Sequence, residues 1–303
     1  MAKLSAVGEV GLIARLRRRL GRLPGSVQVG IGDDAAVLRA PAGRDRRWLF
    51  ASDMLVEGVH FTRAMPPRWI GWKALASNVS DIAAMGGRPE WAVVSLGAPP
   101  RIDVRAVERL YAGLRACATR YGVAIVGGDT VRAPCMVIDV AIIGTVAARH
   151  LTLRSTARVG DAVFVTGRLG GSLASGRHAR FAPRLAQAQW LVRHVPVSAM
   201  MDLSDGLASD SWQLARASRV AIELDESRIP VASAAKTTWH ALMDGEDFEL
   251  LFTVPARAAA RVPSRIEGVP VTRVGRVLGR GPRVTLLRNG RTILLKPEGF
   301  RHF

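Results

Sequence analysis

Short apolar runs that lead directly into acidic, glycine-rich turns recur along this chain of 303 residues. The run WLFAS at 48–52 predicts a buried strand that delivers Asp53, and VAIV at 123–126 predicts a strand that delivers the turn carrying Asp129. Both strands are therefore expected to end on a carboxylate. This pattern restricts the chain to folds in which buried strands present acidic side chains at their ends.

One clear helical pattern separates these two strands. Apolar residues recur at helical spacing from Trp72 to Ala83, and a cluster of glycine and proline follows that ends the helix. On the opposite stripe, Lys73, Ser77 and Asp81 follow one another at intervals of four residues. The pattern predicts a helix that buries one face and carries Asp81 on the other.

The second half of the chain repeats the alternation. DAVFVTG at 161–167 predicts a strand that runs into the glycine-rich GRLGGS, and the apolar AMM of 199–201 leads into an acidic turn. The following LASDSWQLARAS has helical character, with Ser204 or Asp205 able to cap it. In LMDGEDFELLFTV at 242–254, a further acidic turn leads into a strand.

The alternation predicts two α+β domains, which we place at residues 1–148 and 149–303. The arginine-rich start of the chain lacks the uninterrupted apolar core of a signal peptide. A mitochondrial transit peptide is the competing interpretation, but Glu9 and the spacing of the apolar residues favour an ordinary first helix. These apolar residues are Leu12, Ile13, Leu16 and Leu20.

The formal net charge of +18 comes from 39 arginines and four lysines. Such a surplus is typical of nucleic-acid binding, but the arginines are scattered without a basic block that carries interleaved aromatic residues. We therefore expect no nucleic-acid partner, a hypothesis that fails if the fold gathers the arginines on one face. No apolar stretch is long enough to span a bilayer, and Cys117 with Cys135 gives neither a disulfide framework nor a zinc site. A soluble cytoplasmic protein without a membrane partner is expected.

Six acidic segments contain none of the chain's lysines or arginines. Because the chain is rich in arginine, carboxylates without a neighbouring arginine or lysine indicate that another cation balances their charge. Magnesium is such a cation, since it prefers oxygen ligands that include carboxylates and substrate phosphates. A single Asp in a glycine-rich turn is usually only a turn or a helix cap, so the prediction depends on the whole set. The segments are GIGDDAAVL (30–38), ASDMLVEGVHF (51–61), ASNVSDIAAMGG (76–87), VGGDT (126–130), MDLSDGLASD (201–210) and MDGEDFEL (243–250).

In this order the segments resemble those of the thiamine-monophosphate kinases, members of the aminoimidazole-ribonucleotide-synthetase-like ATP-binding superfamily. The likeness runs from VGEVGLIARL near the start to GFRHF at the end. It implies an α+β enzyme whose N-terminal domain, a mixed sheet with helices, pairs into a homodimer, and whose C-terminal domain is an α/β sandwich. It further implies that ATP and several Mg²⁺ ions bind at the domain junction, and it allows a monovalent cation. The chain contains no Walker-type phosphate-binding loop, in keeping with this superfamily.

The resemblance also implies roles for individual positions. The implied magnesium ligands are Asp34, Ser52, Asp53, Asp81, Asp129, Asp202 and Asp205. The implied ATP contacts are Gly128, Asp129, Arg154 and Ser204. The implied contacts to thiamine phosphate are His60 and Glu246, with Pro297 at the position where the family often has an aromatic residue. Glu246 is preferred over its neighbours Asp247 and Glu249, because alternation along a strand would place only some of them on the functional face.

The resemblance implies direct in-line transfer of the γ-phosphoryl group of ATP to the phosphate of thiamine phosphate. A phosphate acceptor with a second pKa of about 6 is largely ionised at neutral pH, so no catalytic general base is assigned. Two departures from the family stand out: Ala51 replaces a hydroxyl residue, and Pro297 replaces the aromatic one. The alternatives are another enzyme of the superfamily, such as an aminoimidazole-ribonucleotide-synthetase-like one, or a non-catalytic nucleotide-binding descendant.

Overall fold

The structure is a computed structural model that describes residues 4–19, 24–39 and 45–300. Within these ranges the chain forms two α+β units, each built around one β-sheet. The helices are α1 (Leu4–Arg19), α2 (Pro67–Ala84), α3 (Val104–Tyr121), α4 (Leu185–His194), α5 (Leu207–Ser218) and α6 (Thr238–Met243). The strands of the first sheet are β1 (Val27–Val29), β2 (Ala36–Arg39), β3 (Arg46–Val56), β4 (Arg88–Ala98), β5 (Ala124–Arg132) and β6 (Val137–Ala147). Those of the second are β7 (Asp161–Thr166), β8 (Ala199–Asp202), β9 (Val220–Asp225), β10 (Leu250–Pro255), β11 (Arg265–Ile266), β12 (Val269–Arg280), β13 (Arg283–Arg288) and β14 (Arg291–Leu294).

The first sheet is mixed and has the strand order β1-β2-β3-β6-β4-β5. Neighbouring strands are antiparallel except β4 and β5, which run parallel because α3 forms the crossover between them. Helices α2 and α3 pack their apolar side chains against one face of the sheet. The other face carries exposed aromatic side chains from β3 and β4, among them Trp48, Phe50 and Trp91.

The second sheet has the strand order β14-β13-β9-β12-β7-β10-β8, with β11 paired to β12. All its pairs are antiparallel except β9 with β13. Both faces are packed: α5 and α6 cover one, and α4 covers the other together with the C-terminal end of α2. Apolar side chains of α2 therefore enter a core of the second unit, and this contact docks the two units together.

Helix α2 is the central element of the junction and is buried on most of its surface. It crosses α3 most closely at Gly71 and Gly113, where a Cβ atom on either residue would lie 1.9 Å from a backbone oxygen of the facing helix. Only glycine permits this approach. The packing directs the stripe formed by Lys73, Ser77 and Asp81 into a cavity between the two units.

The two strands predicted to end on carboxylates continue past them. Asp53 lies within β3 and Asp129 within β5. The glycines ahead of Asp129 allow this continuation, because a Cβ atom at Gly128 would lie 1.8 Å from the carbonyl oxygen of Val94 on the paired strand. The prediction that these strands end there is therefore wrong, although both carboxylates are presented by strands.

Three helix predictions have different outcomes. Helix α2 ends at Ala84, before its glycines, as predicted. The predicted cap of α5 is wrong, since Gly206 occupies the cap position and Asp210 reaches back from the first turn to accept a hydrogen bond from the Asp205 amide. The first helix is present as α1, with Ile13 and Leu16 exposed in place of the expected packing, and Leu20 lies outside the described residues. No helix in the described part of the chain is both long and apolar enough to cross a membrane.

Candidate active site

A cavity of about 420 Å³ lies where the first sheet, α2 and the start of α5 meet, and we call it the junction cavity. Both sequence halves contribute to its lining, and acidic groups dominate the charge there. The charged and hydrogen-bonding residues that line it are Asp33, Asp34, Ser52, Asp53, His60, Lys73, Ser77, Asp81, Arg154, Asp202, Ser204, Asp205, Gln213 and Glu246. Ten of the twelve residues that the sequence resemblance singled out as metal, ATP or substrate contacts, Pro297 left aside, are among them.

Three carboxylates form the centre of the junction cavity. Asp34 lies in the loop before β2, Asp81 on α2 and Asp202 at the end of β8, and each offers an oxygen within 4.8 Å of the others. Asp202 also accepts a hydrogen bond of 2.6 Å from the hydroxyl of Ser80. Two sequence-distant halves of the chain thus supply one set of oxygen ligands. Oxygen-only donors of this kind fit a hard cation such as Mg²⁺.

The electrostatics of this cluster follow from burial and mutual repulsion. Burial raises the pKa of Asp81 well above its ordinary value, and the neighbouring charges of Asp53 and Asp202 add to the effect. Burial, followed by the charge of Asp34, raises the pKa of Asp202 to about 8, while the Ser80 hydrogen bond opposes the rise. A divalent cation would offset the repulsion and favour the ionised carboxylates.

Arg154 connects the cluster to the second unit. Its guanidinium donates two hydrogen bonds to Asp34, at 2.9 Å and 2.6 Å, and a third of 2.8 Å to Gln213. Burial opposes the charge of Arg154, but Asp34 and Asp33 outweigh it and raise the Arg154 pKa. Burial also raises the pKa of Asp33 to about 7. The acidic segments therefore do meet cationic partners, which come from elsewhere in the chain.

The β3 positions reach the junction cavity from both faces of the strand. Asp53 lies on the α2 side, whereas the Ser52 hydroxyl donates a hydrogen bond of 2.8 Å to Asp139 on the exposed side. Gly128 and Asp129 do not line the cavity: Asp129 is exposed on β5 and accepts a hydrogen bond from the amide of Thr130. The structure thus brings Asp53 to the site and places Ser52 in the lining, but the hydroxyl of Ser52 and the carboxylate of Asp129 both lie on the open face of the sheet.

A buried lysine joins two of the predicted substrate contacts. The Lys73 side chain is 1% exposed, and its ammonium forms an ion pair with Glu246 and donates a hydrogen bond of 2.8 Å to the carbonyl oxygen of His60. Burial lowers the pKa of Lys73, and Glu246 opposes this effect. The second carboxylate oxygen of Glu246 is buried without a hydrogen-bond partner among the described residues. Lys73 had been placed on the correct stripe of α2, but sequence alone assigned it no role.

The turn that carries Glu246 is strained and firmly held. Glu246 and Phe248 both have positive φ angles, of 63° and 49°, which side chains rarely adopt. The buried carboxylate of Asp247 pairs with Arg177 and accepts a hydrogen bond of 2.8 Å from the amide of Gly170. Glu249 is buried as well. Of the three acidic side chains considered, only Glu246 lines the junction cavity.

Aromatic side chains border the same end of the cavity. Phe248 and Phe300 both line it, and Phe248 stacks on Phe181 at a centroid distance of 3.9 Å. Pro297, at the position predicted from the family pattern, is not among the lining residues. Phe300 therefore supplies an aromatic surface that the pattern had assigned three residues earlier. Its signal was present in the GF pair at the end of the chain.

The remaining contacts of the site come from the start of α5. Ser204 and Asp205 line the cavity as predicted, and Gln213 donates hydrogen bonds to Asp205 and Asp210. Asp210 is fully buried, and burial raises its pKa with help from the charge of Asp205. Asp33, Asp210 and Gln213 were not predicted, although both aspartates lie inside the acidic segments.

Fold and site together define a class: two-domain α+β enzymes that gather carboxylates at the domain junction and lack a phosphate-binding loop. Residues 32–146 match the family described as AIR synthase related protein, N-terminal domain, and residues 158–286 match AIR synthase related protein, C-terminal domain. The chain belongs to the thiamine-monophosphate kinase family of these AIR synthase related proteins.

Three similar proteins support this membership. The chain is 40% identical to the thiamine-monophosphate kinase of Rhodopirellula baltica, over 97% of each chain. It is 36% identical to that of Bacillus subtilis, over 92% of this chain and 94% of the relative. A solved structure of AaThiL complexed with AMPPCP and TMP superposes with a TM-score of 0.87 at 33% identity, over 100% of this chain and 99% of that one.

Proposed function

We propose that this chain is a thiamine-monophosphate kinase that transfers the γ-phosphoryl group of ATP to the phosphate of thiamine monophosphate. The observation that carries the proposal is the convergence of Asp34, Asp81 and Asp202 in one cavity beside Arg154. Relatives named for this activity, and a similar protein complexed with AMPPCP and TMP, support it. The products are thiamine diphosphate and ADP.

The described residues suit in-line transfer between two phosphates. The three central aspartates would hold Mg²⁺, which when bound neutralises phosphate charge and aligns the attacking and leaving oxygens. Ser52, Asp53, Asp129 and Asp205 are further proposed ligands. Arg154 offers a guanidinium to nucleotide phosphates, with Ser204 beside it, and Gly128 stays a proposed nucleotide contact. The acceptor phosphate is ionised at neutral pH, so no side chain needs to remove a proton.

The spacing along α2 sets the direction of the acceptor. Lys73 and Asp81 are eight residues apart on one stripe, which corresponds to about 12 Å along the helix. The phosphate end of the acceptor is placed at Asp81, and the ring end lies toward Lys73, His60 and Glu246. The unpartnered oxygen of Glu246 can accept a hydrogen bond from a donor on the ring system.

Product analysis tests this proposal directly. The purified chain is incubated with ATP, Mg²⁺ and thiamine monophosphate, and the products are separated by chromatography. Thiamine diphosphate and ADP are expected in equal amounts, with no product when EDTA replaces Mg²⁺. ATP binding without turnover of thiamine monophosphate would point to a different acceptor within the superfamily or to a non-catalytic descendant.

The exposed face of the first sheet supports a homodimer, which is part of the proposal. Phe50 of β3 and Trp91 of β4 are both paired with Ile143 on the strand between them, β6, so the three side chains lie in one row across the sheet. The side chains of Phe50 and Trp91 are 46% and 43% exposed. Trp48 and Val93 extend the same apolar face. Exposed apolar patches of this kind usually mark protein interfaces. A second copy of the chain is therefore placed against this face.

Phe50→Asp is expected to convert the dimer into a monomer, because a buried unpaired carboxylate would disfavour the interface. Sedimentation velocity at several concentrations measures the change in mass. Leu173→Asp is the matched control, since Leu173 is 64% exposed in the second unit, away from this face. A monomeric wild type, or a variant as dimeric as the wild type, would contradict the proposed interface.

Four further parts of the proposal depend on sequence reasoning. We divide the chain at residues 148 and 149, which agrees with one sheet on either side of that point. A cytoplasmic location, the binding of several Mg²⁺ ions and room for a monovalent cation are also included. The proposal names no nucleic-acid or membrane partner.

A further inference from the structure

A second cavity, of about 370 Å³, lies at the C-terminal end of α2, and we call it the basic cavity. The first sheet contributes Arg46 and Arg88, the link between the units contributes His150, and α4 contributes Arg193. Among the described residues, no Asp or Glu lines it. It therefore combines three guanidinium groups from two docked units with no carboxylate of its own.

An arginine-rich chain would show some basic cavities by chance, so the pairing state of the arginines matters. In another cavity of the second unit, Arg228 pairs with Asp225 and Arg276 pairs with Glu223, and these acids line that cavity too. No ion pair is present for Arg46, Arg88 or Arg193 within the described chain. The basic cavity is thus distinguished by arginines that form no ion pair.

The C-terminal end of a helix normally repels anions, and at the end of α2 neutral groups donate hydrogen bonds to the carbonyl oxygens. Thr152 donates hydrogen bonds to the carbonyl oxygens of Ala84 and Met85, through its hydroxyl at 2.9 Å and its amide at 3.4 Å. The side chain of Gln189 donates to the carbonyl oxygen of Gly87 at 3.4 Å. The carbonyl oxygens at and just beyond the end of the helix are therefore hydrogen-bonded within the chain.

A tyrosine hydroxyl adds a polar group to the lining. Tyr121 lines the cavity, its hydroxyl oxygen is buried, and the guanidinium of Arg120 lies 5.7 Å from the centre of its ring. Glu90 on β4 accepts a hydrogen bond from the hydroxyl of Thr145, which lines the cavity, so one carboxylate lies directly behind the lining.

We propose that the basic cavity binds a small phosphate-type polyanion that joins the first sheet to α4. Guanidinium groups bind phosphate oxygens in paired hydrogen bonds, and three arginines line a volume suited to one or two phosphate groups. The site is separate from the junction cavity, with which it shares none of its lining residues. Binding there would hold the two units together without taking part in phosphoryl transfer.

Calorimetric titration with inorganic pyrophosphate in EDTA tests the proposal, because the acidic junction cavity has no metal through which to bind phosphate under these conditions. Saturable binding and a raised melting temperature are expected for the wild type. The double variant Arg88→Ala/Arg193→Ala is expected to lose about tenfold or more in affinity, and Tyr121→Phe to lose less. The matched control is Arg273→Ala, which removes one arginine from the cavity of the second unit in which Arg228 and Arg276 are ion-paired. This variant should bind pyrophosphate as the wild type does.

The melting temperature of each variant without ligand separates lost binding from lost folding. Arg88→Lys, which retains the charge, provides a second check if the double variant is unstable, and it should keep part of the affinity. Binding unchanged by the double variant, or weakened equally by Arg273→Ala, would overturn the proposal in favour of nonspecific attraction to a basic protein. The absence of saturable pyrophosphate binding by the wild type would overturn it as well.

Discussion

Asp81→Asn is expected to lower kcat for phosphoryl transfer about 10³-fold or more while the fold is retained. Asp81 forms the carboxylate cluster with Asp34 and Asp202, and the amide removes one negative oxygen ligand from the proposed Mg²⁺ site. A weakened metal site stabilises the charge of the transferring phosphate less well in the transition state. The activation free energy then rises by several kcal/mol, which corresponds to this change in rate. Steady-state kinetics with thiamine monophosphate and ATP measures it.

The same substitution is expected to stabilise the metal-free protein. Burial and neighbouring carboxylates raise the pKa values of Asp81 and Asp202 above their ordinary value, to about 8 for Asp202. Groups with a raised folded pKa favour folding at low pH, and this contribution is lost as the pH rises through the folded value. The melting temperature of the metal-free wild type should therefore fall between about pH 5 and pH 8. Asp81→Asn should reduce that fall, and Mg²⁺ should restore wild-type stability at high pH.

Glu108→Gln is the matched control for charge, since Glu108 is exposed on α3. It should leave both kcat and the pH dependence of melting unchanged. An Asp81→Asn variant with wild-type turnover would remove Asp81 from the proposed metal site. An Asp81→Asn variant whose melting temperature depends on pH as strongly as that of the wild type would show that the cluster is not mutually repulsive.

The central carboxylates could be predicted from sequence because each is fixed to a locally recognisable element. Asp81 follows from the periodicity of α2, and Asp34 and Asp202 follow from acidic turns next to apolar runs. Their convergence, however, depends on the docking of two units, which local patterns do not encode. The order of the motifs and their resemblance to a family supplied that missing step.

Helix α3 was absent from the prediction although its local signals are present. Asp103 caps its first turn, Gly122 ends it in a left-handed conformation, and Leu110 with Leu114 is buried. Arginines on its outer face lie opposite the apolar stripe, which is the pattern of an amphipathic helix, so the periodicity also indicated this element. Caps at both ends would have been the more reliable indication.

Contacts between distant side chains were the least predictable part of the site. The hydrogen bonds of Arg154 to Asp34, and the placement of Phe300 in the cavity, join positions far apart in sequence. In an arginine-rich chain, the residues around an arginine do not indicate which carboxylate its guanidinium will contact. Family patterns anticipated Arg154, whereas the GF pair marked Phe300 in the sequence without indicating that it lines the junction cavity.

Lys73→Met is expected to raise the KM for thiamine monophosphate about tenfold or more while the KM for ATP changes little. The ammonium of Lys73 orients Glu246 and holds the carbonyl oxygen of His60, so its loss disorders the proposed ring end of the cavity and spares the Arg154 end. It should also destabilise the fold by about 3–5 kcal/mol, because a largely buried carboxylate loses its partner. Kinetics with each substrate varied, and unfolding in urea, measure the two effects.

Two further variants separate positioning from stability. In Lys73→Met/Glu246→Gln the unpaired charge is removed, so stability should recover substantially while the KM for thiamine monophosphate stays high. Lys236→Met, at an exposed lysine, should resemble the wild type in both measurements. If the double variant regained a normal KM, Lys73 would matter only for stability; if the single variant raised both KM values equally, it would act on the whole cavity. A selective effect on the acceptor would show that α2 carries both ends of the reaction, with the metal ligand Asp81 at one position and the acceptor-orienting Lys73 two turns away.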